Sequence, residues 1–227
     1  MTAPPKGQAS IGPLVTLEHP RSPAAEAYRT LRANLRFSSL DLPAKSILFT
    51  SPGQQEGKTT TLANLAVIAS QAGSKVIVVD CDLRRPSLHR IFGLPNSTGF
   101  TDFLLGDARD RIPTQDGPTP GLRVLTSGPL PPNPAELLSL DRVDTLLAAL
   151  REEADLILLD SPPAAVVADA SILAPRVDGV VLVIDATRTR REPARRAKEQ
   201  LERVKARLLG VVVNRAHLDS GTSQYYQ

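Results

Sequence analysis

Gly57-Lys58-Thr59 stands between an apolar run at residues 47–50 and a helical pattern at 59–71. A strand that turns sharply into a helix leaves the first NH groups of that helix unpaired and at the positive end of its dipole. Gly57 lets the backbone approach phosphate oxygens, Lys58 neutralises their charge, and the Thr59 hydroxyl is placed to ligate magnesium, so 51–59 predicts a phosphate-binding loop. The usual spacing has glycine where Pro52 stands, with Gly53 one place later, so the loop is a variant. The competing reading is a surface turn that contains Gly-Lys-Thr by chance, and the flanking strand and helix argue against it. Alone, the motif specifies a nucleoside triphosphate and nothing finer.

The surroundings repeat the same alternation. Short β-branched or leucine-rich runs at 47–50, 76–79, 122–125, 156–159, 180–184 and 209–213 predict buried strands. Helical patterns at 59–71, 135–153 and 193–207 separate several of them, which implies one α/β domain with a mostly parallel sheet covered on both faces. Ser22 and Pro23 open an earlier helix to about residue 37, with Ala25, Tyr28, Leu31 and Leu35 at helical spacing. Residues 1–23, with five prolines, read as an extended lead-in that adds little to the core. The stretch 93–134 is rich in Gly and Pro and is expected near the active site, where long loops of α/β folds gather.

Composition excludes several classes. With 41% hydrophobic and 22% charged residues the chain is globular rather than disordered. Its apolar runs fall short of a membrane span, and no secretory signal precedes them, so cytoplasmic residence is the expectation. The single cysteine, Cys81, cannot build a disulfide or a metal cluster. Twenty-seven Lys and Arg against 24 Asp and Glu are too even to argue for nucleic-acid binding.

Three aspartates extend the phosphate loop into chemistry. The run 76–79 ends in Asp80-Cys81-Asp82, and 156–159 ends in Asp160-Ser161-Pro162-Pro163. Carboxylates leaving the ends of parallel strands stand where open α/β sheets bind ligands, and there they can hold magnesium or orient a nucleophile. Any one of them could instead cap a helix. Three beside one phosphate loop make coincidence a poor account.

These residues resemble the bacterial tyrosine kinases of polysaccharide co-polymerase systems, a branch of the P-loop ATPases related to MinD and ParA. The likeness extends from about residue 17 to the end of the chain. It rests on the loop 51–59, on Val76-Ile-Val-Val-Asp-Cys-Asp-Leu-Arg-Arg-Pro86, on 155–163, on Leu130-Pro-Pro-Asn-Pro-Ala-Glu-Leu-Leu138, and on Glu26, Arg29 and Arg32, which match an ExxRxxR pattern. The resemblance implies a P-loop NTPase-like three-layer sandwich, with a Pro-rich flexible segment at 1–20, the kinase domain at 21–219 and a tyrosine tail at 220–227. It implies an autokinase using ATP and Mg2+ that phosphorylates Tyr225 and Tyr226 in trans. Gln55, Glu56, Gly57, Lys58, Thr59 and Thr60 would then hold nucleotide, and Thr59, Asp82 and Asp160 the metal. Asp80 would be the base for the tyrosine hydroxyl, acting with Asp82 and Lys58. Glu26, Arg29 and Arg32 would mediate a ring-like oligomer. The implied partners are a membrane activator, separate or fused, at the inner face of the plasma membrane, and a cognate tyrosine phosphatase, with no nucleic acid. The implied role is regulation of capsule or exopolysaccharide synthesis and export.

Other readings stay open on the sequence. A MinD or ParA type switch ATPase is the nearest, although its extra lysine early in the loop has no counterpart among Pro52, Gly53, Gln54 and Gln55. A scaffold that binds ATP and transfers phosphate poorly would suit a tail with only two tyrosines. Asn214, after the last strand, resembles an adenine-facing asparagine and equally an ordinary turn residue. The basic stretch from Arg188 to Arg207 is either a solvated face or a contact for an anionic membrane or an acidic activator tail.

Overall fold

The computed structural model describes residues 14–37, 43–106 and 111–216. Seven strands form one sheet: β1 (Ser46–Thr50), β2 (Val76–Asp80), β3 (Gln115–Asp116), β4 (Leu122–Leu125), β5 (Leu156–Asp160), β6 (Gly179–Asp185) and β7 (Leu208–Asn214). Their order is β3-β4-β2-β5-β1-β6-β7, parallel throughout except for the β3–β4 pair. The central strands are apolar at nearly every position because both faces are covered. Ile47 and Phe49 enter one core with α3 (Lys58–Gln71) and α4 (Leu88–Phe92). Leu48, between them, faces the other core, under α5 (Phe100–Leu105), α6 (Pro134–Leu138), α7 (Arg142–Glu153), α8 (Asp169–Leu173) and α9 (Arg191–Arg203). The three-layer α/β sandwich is the expected one.

Helix α3 is buried from Thr61 through Ser70 because α2 (Pro23–Phe37) and α1 (Val15–Glu18) lie across its outer side. Its small residues Ala63, Ala66 and Ala69 suit a helix enclosed all round. The lead-in therefore contributes more to the core than its proline content suggests. Thr16 is fully buried, and its backbone NH and hydroxyl both donate to Asn64 Oδ1, at 3.1 and 2.9 Å.

Two further expectations change. The helix predicted over 135–153 is two helices, α6 and α7. The Ser139 hydroxyl donates back to the Ala135 carbonyl at 2.8 Å, and the Arg176 guanidinium takes the carbonyls of Ser139 and Leu140, so the chain turns without orphaned acceptors. The Gly- and Pro-rich stretch 93–134 holds α5, β3 and β4 and lies at the sheet edge. Asn96 bonds to Ser127 and Gly128, and Gly99 packs so closely on Thr126 that a Cβ there would meet its carbonyl oxygen at 2.1 Å. No described residue of that stretch lines the cleft below. Among the described residues no helix is long and apolar enough to cross a membrane.

Candidate active site at the carboxyl ends of the central strands

The loop between β1 and α3 wraps over the start of α3, whose first turn closes by Thr61 NH to the Gly57 carbonyl at 2.9 Å. Gly57 has φ +89°, a left-handed conformation that suits glycine. Gln55 also has positive φ, at 62°. Behind the loop, Asn214 Nδ2 donates to the Glu56 carbonyl at 3.0 Å, and its Oδ1 accepts from the Arg215 NH. The residue that resembles an adenine-facing asparagine and equally a turn residue thus has its amide engaged in propping the loop. The buried Glu56 side chain turns away from the loop's outer surface, where its Oε2 accepts from Asp185 NH at 2.7 Å and from the Thr189 hydroxyl.

Lys58, Thr59, Asp82 and Asp160 converge in front of the loop. Lys58 Nζ lies 3.2 Å from Asp82 Oδ2 and 3.1 Å from Asp160 Oδ1, and Thr59 Oγ1 donates to Asp160 Oδ2 at 2.6 Å. Burial acts to lower the Lys58 pKa, but Asp160 and Asp82 outweigh it and hold it above the ordinary lysine value. Burial raises the Asp160 carboxyl despite the opposing pull of Lys58 and the Thr59 hydrogen bond.

Asp80 is adjacent to this group, paired across the sheet with Asp160. It is wholly buried, and its Oδ2 accepts from the backbone NH groups of Ser87 and Leu88, both at 3.0 Å. Burial first, and then the Asp160 charge, push its carboxyl up to about 7. Unlike Asp82, it does not line the cleft. Cys81, between them, is buried, and burial pushes its thiol well above the usual range.

The cleft encloses about 530 Å³ between the loop residues 54–60, Asp82 to Ile91, Pro162 to Val167, Arg188 and Arg215. Its arginines were not singled out from sequence as part of this site. Arg84 makes a bidentate pair with the wholly buried Asp169, at 2.9 Å for both bonds. Arg85 donates to Gln54 at 2.8 Å, Arg188 to Gln55 at 3.4 Å, and Arg215 pairs with the buried Asp185. The Arg84 and Asp169 partners are 85 positions apart, so no local pattern joins them.

The donor set fits a magnesium nucleotide. Thr59, Asp82 and Asp160 present hard oxygens that could hold Mg2+, beside a loop of backbone NH groups and one lysine. Among the described residues no cluster of three or more His, Cys, Asp or Glu could hold a metal by itself. Mg2+ needs only one or two protein carboxylates, because phosphate oxygens and water complete its shell. Glu26 and Arg29 pair with each other on α2 at 2.8 Å, and neither lines this cleft. Tyr225 and Tyr226 lie outside the described residues, as do residues 1–13.

The CobQ/CobB/MinD/ParA nucleotide binding domain matches residues 47–227. The chain is 42% identical over 213 residues to the tyrosine-protein kinase YwqD of Bacillus subtilis, covering 94% of this chain and 90% of that protein. It is 36% identical over 221 residues to the putative tyrosine-protein kinase CapB of Staphylococcus aureus, covering 97% of each. The crystal structure of the chimerical protein CapA2B2 superposes with a TM-score of 0.85 at 37% identity, covering 90% of each chain. With the nucleotide-binding domain matched over most of its length and the lysine, threonine and aspartates of the site assembled at the strand ends, the chain belongs to the bacterial tyrosine kinases of the MinD and ParA nucleotide-binding family.

Proposed function

We infer that this protein-tyrosine kinase takes the γ-phosphoryl group of ATP, held with Mg2+ against the loop 53–60, and passes it to tyrosine hydroxyls, those of Tyr225 and Tyr226 on a neighbouring copy first among them. The observation that carries this reading is the convergence of Lys58 Nζ, Thr59 Oγ1, Asp82 and Asp160 in front of the loop. Bound Mg2+ would neutralise charge on the phosphate oxygens, and Thr59, Asp82 and Asp160 would hold it. Lys58 binds the terminal phosphates as a point charge, and the loop NH groups fix their orientation. In the transfer, the tyrosine oxygen forms a bond to the γ-phosphorus as the bond to ADP breaks, and the phenolic proton goes to a carboxylate.

A phenol of pKa near 10 needs such an acceptor close by at neutral pH. Asp80, with its carboxyl pushed up to about 7, is matched to that task once the amides of Ser87 and Leu88 that cover it move aside. Asp82, already in the cleft wall, is the second candidate. Positioning and charge neutralisation supply most of the acceleration in either case.

Assembly through Glu26, Arg29 and Arg32, with a membrane activator that brings the kinase to the inner face of the plasma membrane, completes the reading. Its output is control of polysaccharide synthesis and export, reversed by a tyrosine phosphatase. A mixing experiment tests transfer between copies. Lys58→Met, which keeps its tail, is combined with Tyr225→Phe/Tyr226→Phe, which keeps its site, in Mg-ATP. Phosphotyrosine on the Lys58→Met chain in the mixture alone supports transfer in trans, and its absence, with active wild type alongside, overturns it.

A further inference from the structure

The phosphate loop divides the cleft into two chemically unlike halves. The loop follows β1, and the strand order sets Arg188 and Arg215, after β6 and β7, on one side of it. Asp82 to Ile91, after β2, and Pro162 to Val167, after β5, stand on the other. Lys58 Nζ reaches toward Asp82 and Asp160, on the β2–β5 side, so the terminal phosphate of a bound nucleotide belongs there and the base belongs with the two arginines.

An acceptor must therefore enter over the β2–β5 side, and that side carries an apolar wall of Ile91, Pro162, Pro163, Val166 and Val167. Val166 is 57% exposed, the most open large apolar side chain in the cleft. Phosphates gain nothing from such a surface. The wall and the loop are one frame: Thr50 Oγ1 donates to the Pro162 carbonyl at 2.8 Å, Ala164 NH to Ser51 O at 2.8 Å, and Val166 NH to Pro163 O at 3.1 Å.

We propose that this wall, with Val166 at its open edge, is the acceptor subsite that holds the ring of a tyrosine and so selects phenolic over aliphatic hydroxyls. The inference rests on the tyrosine-kinase reading. A serine or threonine side chain has almost no apolar surface to lay on the wall. A tyrosine has a ring suited to the apolar surface and a hydroxyl suited to the polar end of the cleft that holds Asp82. Arg85, exposed at the same edge, suits an acceptor segment with acidic side chains.

The test uses the full chain, saturating Mg-ATP, and a synthetic acceptor peptide with the sequence of residues 219–227, alongside its Tyr→Ser version. Val166→Asn is predicted to raise the KM for the tyrosine peptide about tenfold, with Val166→Ile within about twofold of wild type, the range one apolar contact commands. The Kd for ATP, read separately, stays at the wild-type value in both variants. An unchanged peptide KM in Val166→Asn, with wild type active, overturns the subsite and leaves the kinase reading intact. ATP binding without any transfer to the tyrosine peptide by wild type would instead bring down the kinase reading, and the subsite with it.

Discussion

Asn214 stands where a side chain at position 57 would have to go: a Cβ on Gly57 would lie 2.0 Å from Asn214 Nδ2. The last strand thus holds the phosphate loop from behind, and the loop can follow its path only with glycine there. Gly57→Ala meets both this collision and a left-handed backbone at φ +89°. It is predicted to weaken ATP binding by about a hundredfold or more, the backbone conformation alone costing about 1–2 kcal/mol. Adding Asn214→Ala removes the collision but not the backbone cost, so the double variant recovers part of the affinity. Titration calorimetry with ATP checks both, and equal affinity in Gly57→Ala and wild type would contradict this account of the loop.

The buried Asp80 makes stability depend on pH. Its folded-state pKa of about 7 stands above the ordinary carboxylate value, because burial first and Asp160 second disfavour its charge. Between about pH 4 and pH 7 the folded protein retains a proton that the unfolded chain has released, so this residue lowers stability as pH rises through that window. Asp80→Asn is uncharged throughout. In nucleotide-free protein, the melting temperature of the variant relative to wild type is predicted to climb by about 5 °C or more from pH 5 to pH 8. A difference that does not vary with pH would show that the Asp80 carboxyl is not held protonated.

The strands were legible because a parallel sheet covered on both faces makes nearly every position of a strand apolar, as at Ile47, Leu48 and Phe49. The phosphate loop and its three aspartates were legible for a related reason: each follows directly on such a strand, so sequence alone places Lys58, Asp82 and Asp160 at one end of the sheet. Side-chain direction was not legible. Glu56, in the middle of the loop, turns back to Asp185 and Thr189, 129 and 133 positions away. The two-residue strand Gln115–Asp116 is polar and carries no strand pattern. The docking of Thr16 on Asn64 depends on a hydrogen bond spanning 48 positions, beyond any periodicity.

Glu56 gives a further prediction. Its carboxylate accepts from the Asp185 NH and the Thr189 hydroxyl under the loop. Glu56→Ala leaves the Thr189 hydroxyl without that acceptor and is predicted to cost about 1–3 kcal/mol of stability, with weaker ATP binding from a looser loop. Glu56→Gln keeps an acceptor oxygen and should lose less than half as much. Chemical denaturation of the three proteins decides the matter, and equal stability of Glu56→Ala and wild type would mean that the contact contributes nothing.

On α2, Arg29 bonds Glu26 at 2.8 Å and the Pro20 carbonyl at 2.6 Å, all within one chain. An exposed pair of this kind contributes little to the monomer, about 0–1 kcal/mol. Arg29→Ala/Arg32→Ala should therefore leave the melting temperature nearly unchanged while it reduces self-association in sedimentation velocity. Unaltered assembly would remove these arginines from the interface.

The role proposed for the cluster of Lys58, Thr59, Asp82 and Asp160 is transfer of phosphate to tyrosine. The most direct test is intact mass, with phosphosite mapping, of dephosphorylated wild type and Lys58→Met after incubation with Mg-ATP, with and without a candidate activator segment. Added phosphate on tyrosine is expected in wild type and none in Lys58→Met. Wild-type protein that binds and hydrolyses ATP yet gains no phosphotyrosine under either condition would contradict it and favour a nucleotide-switched ATPase.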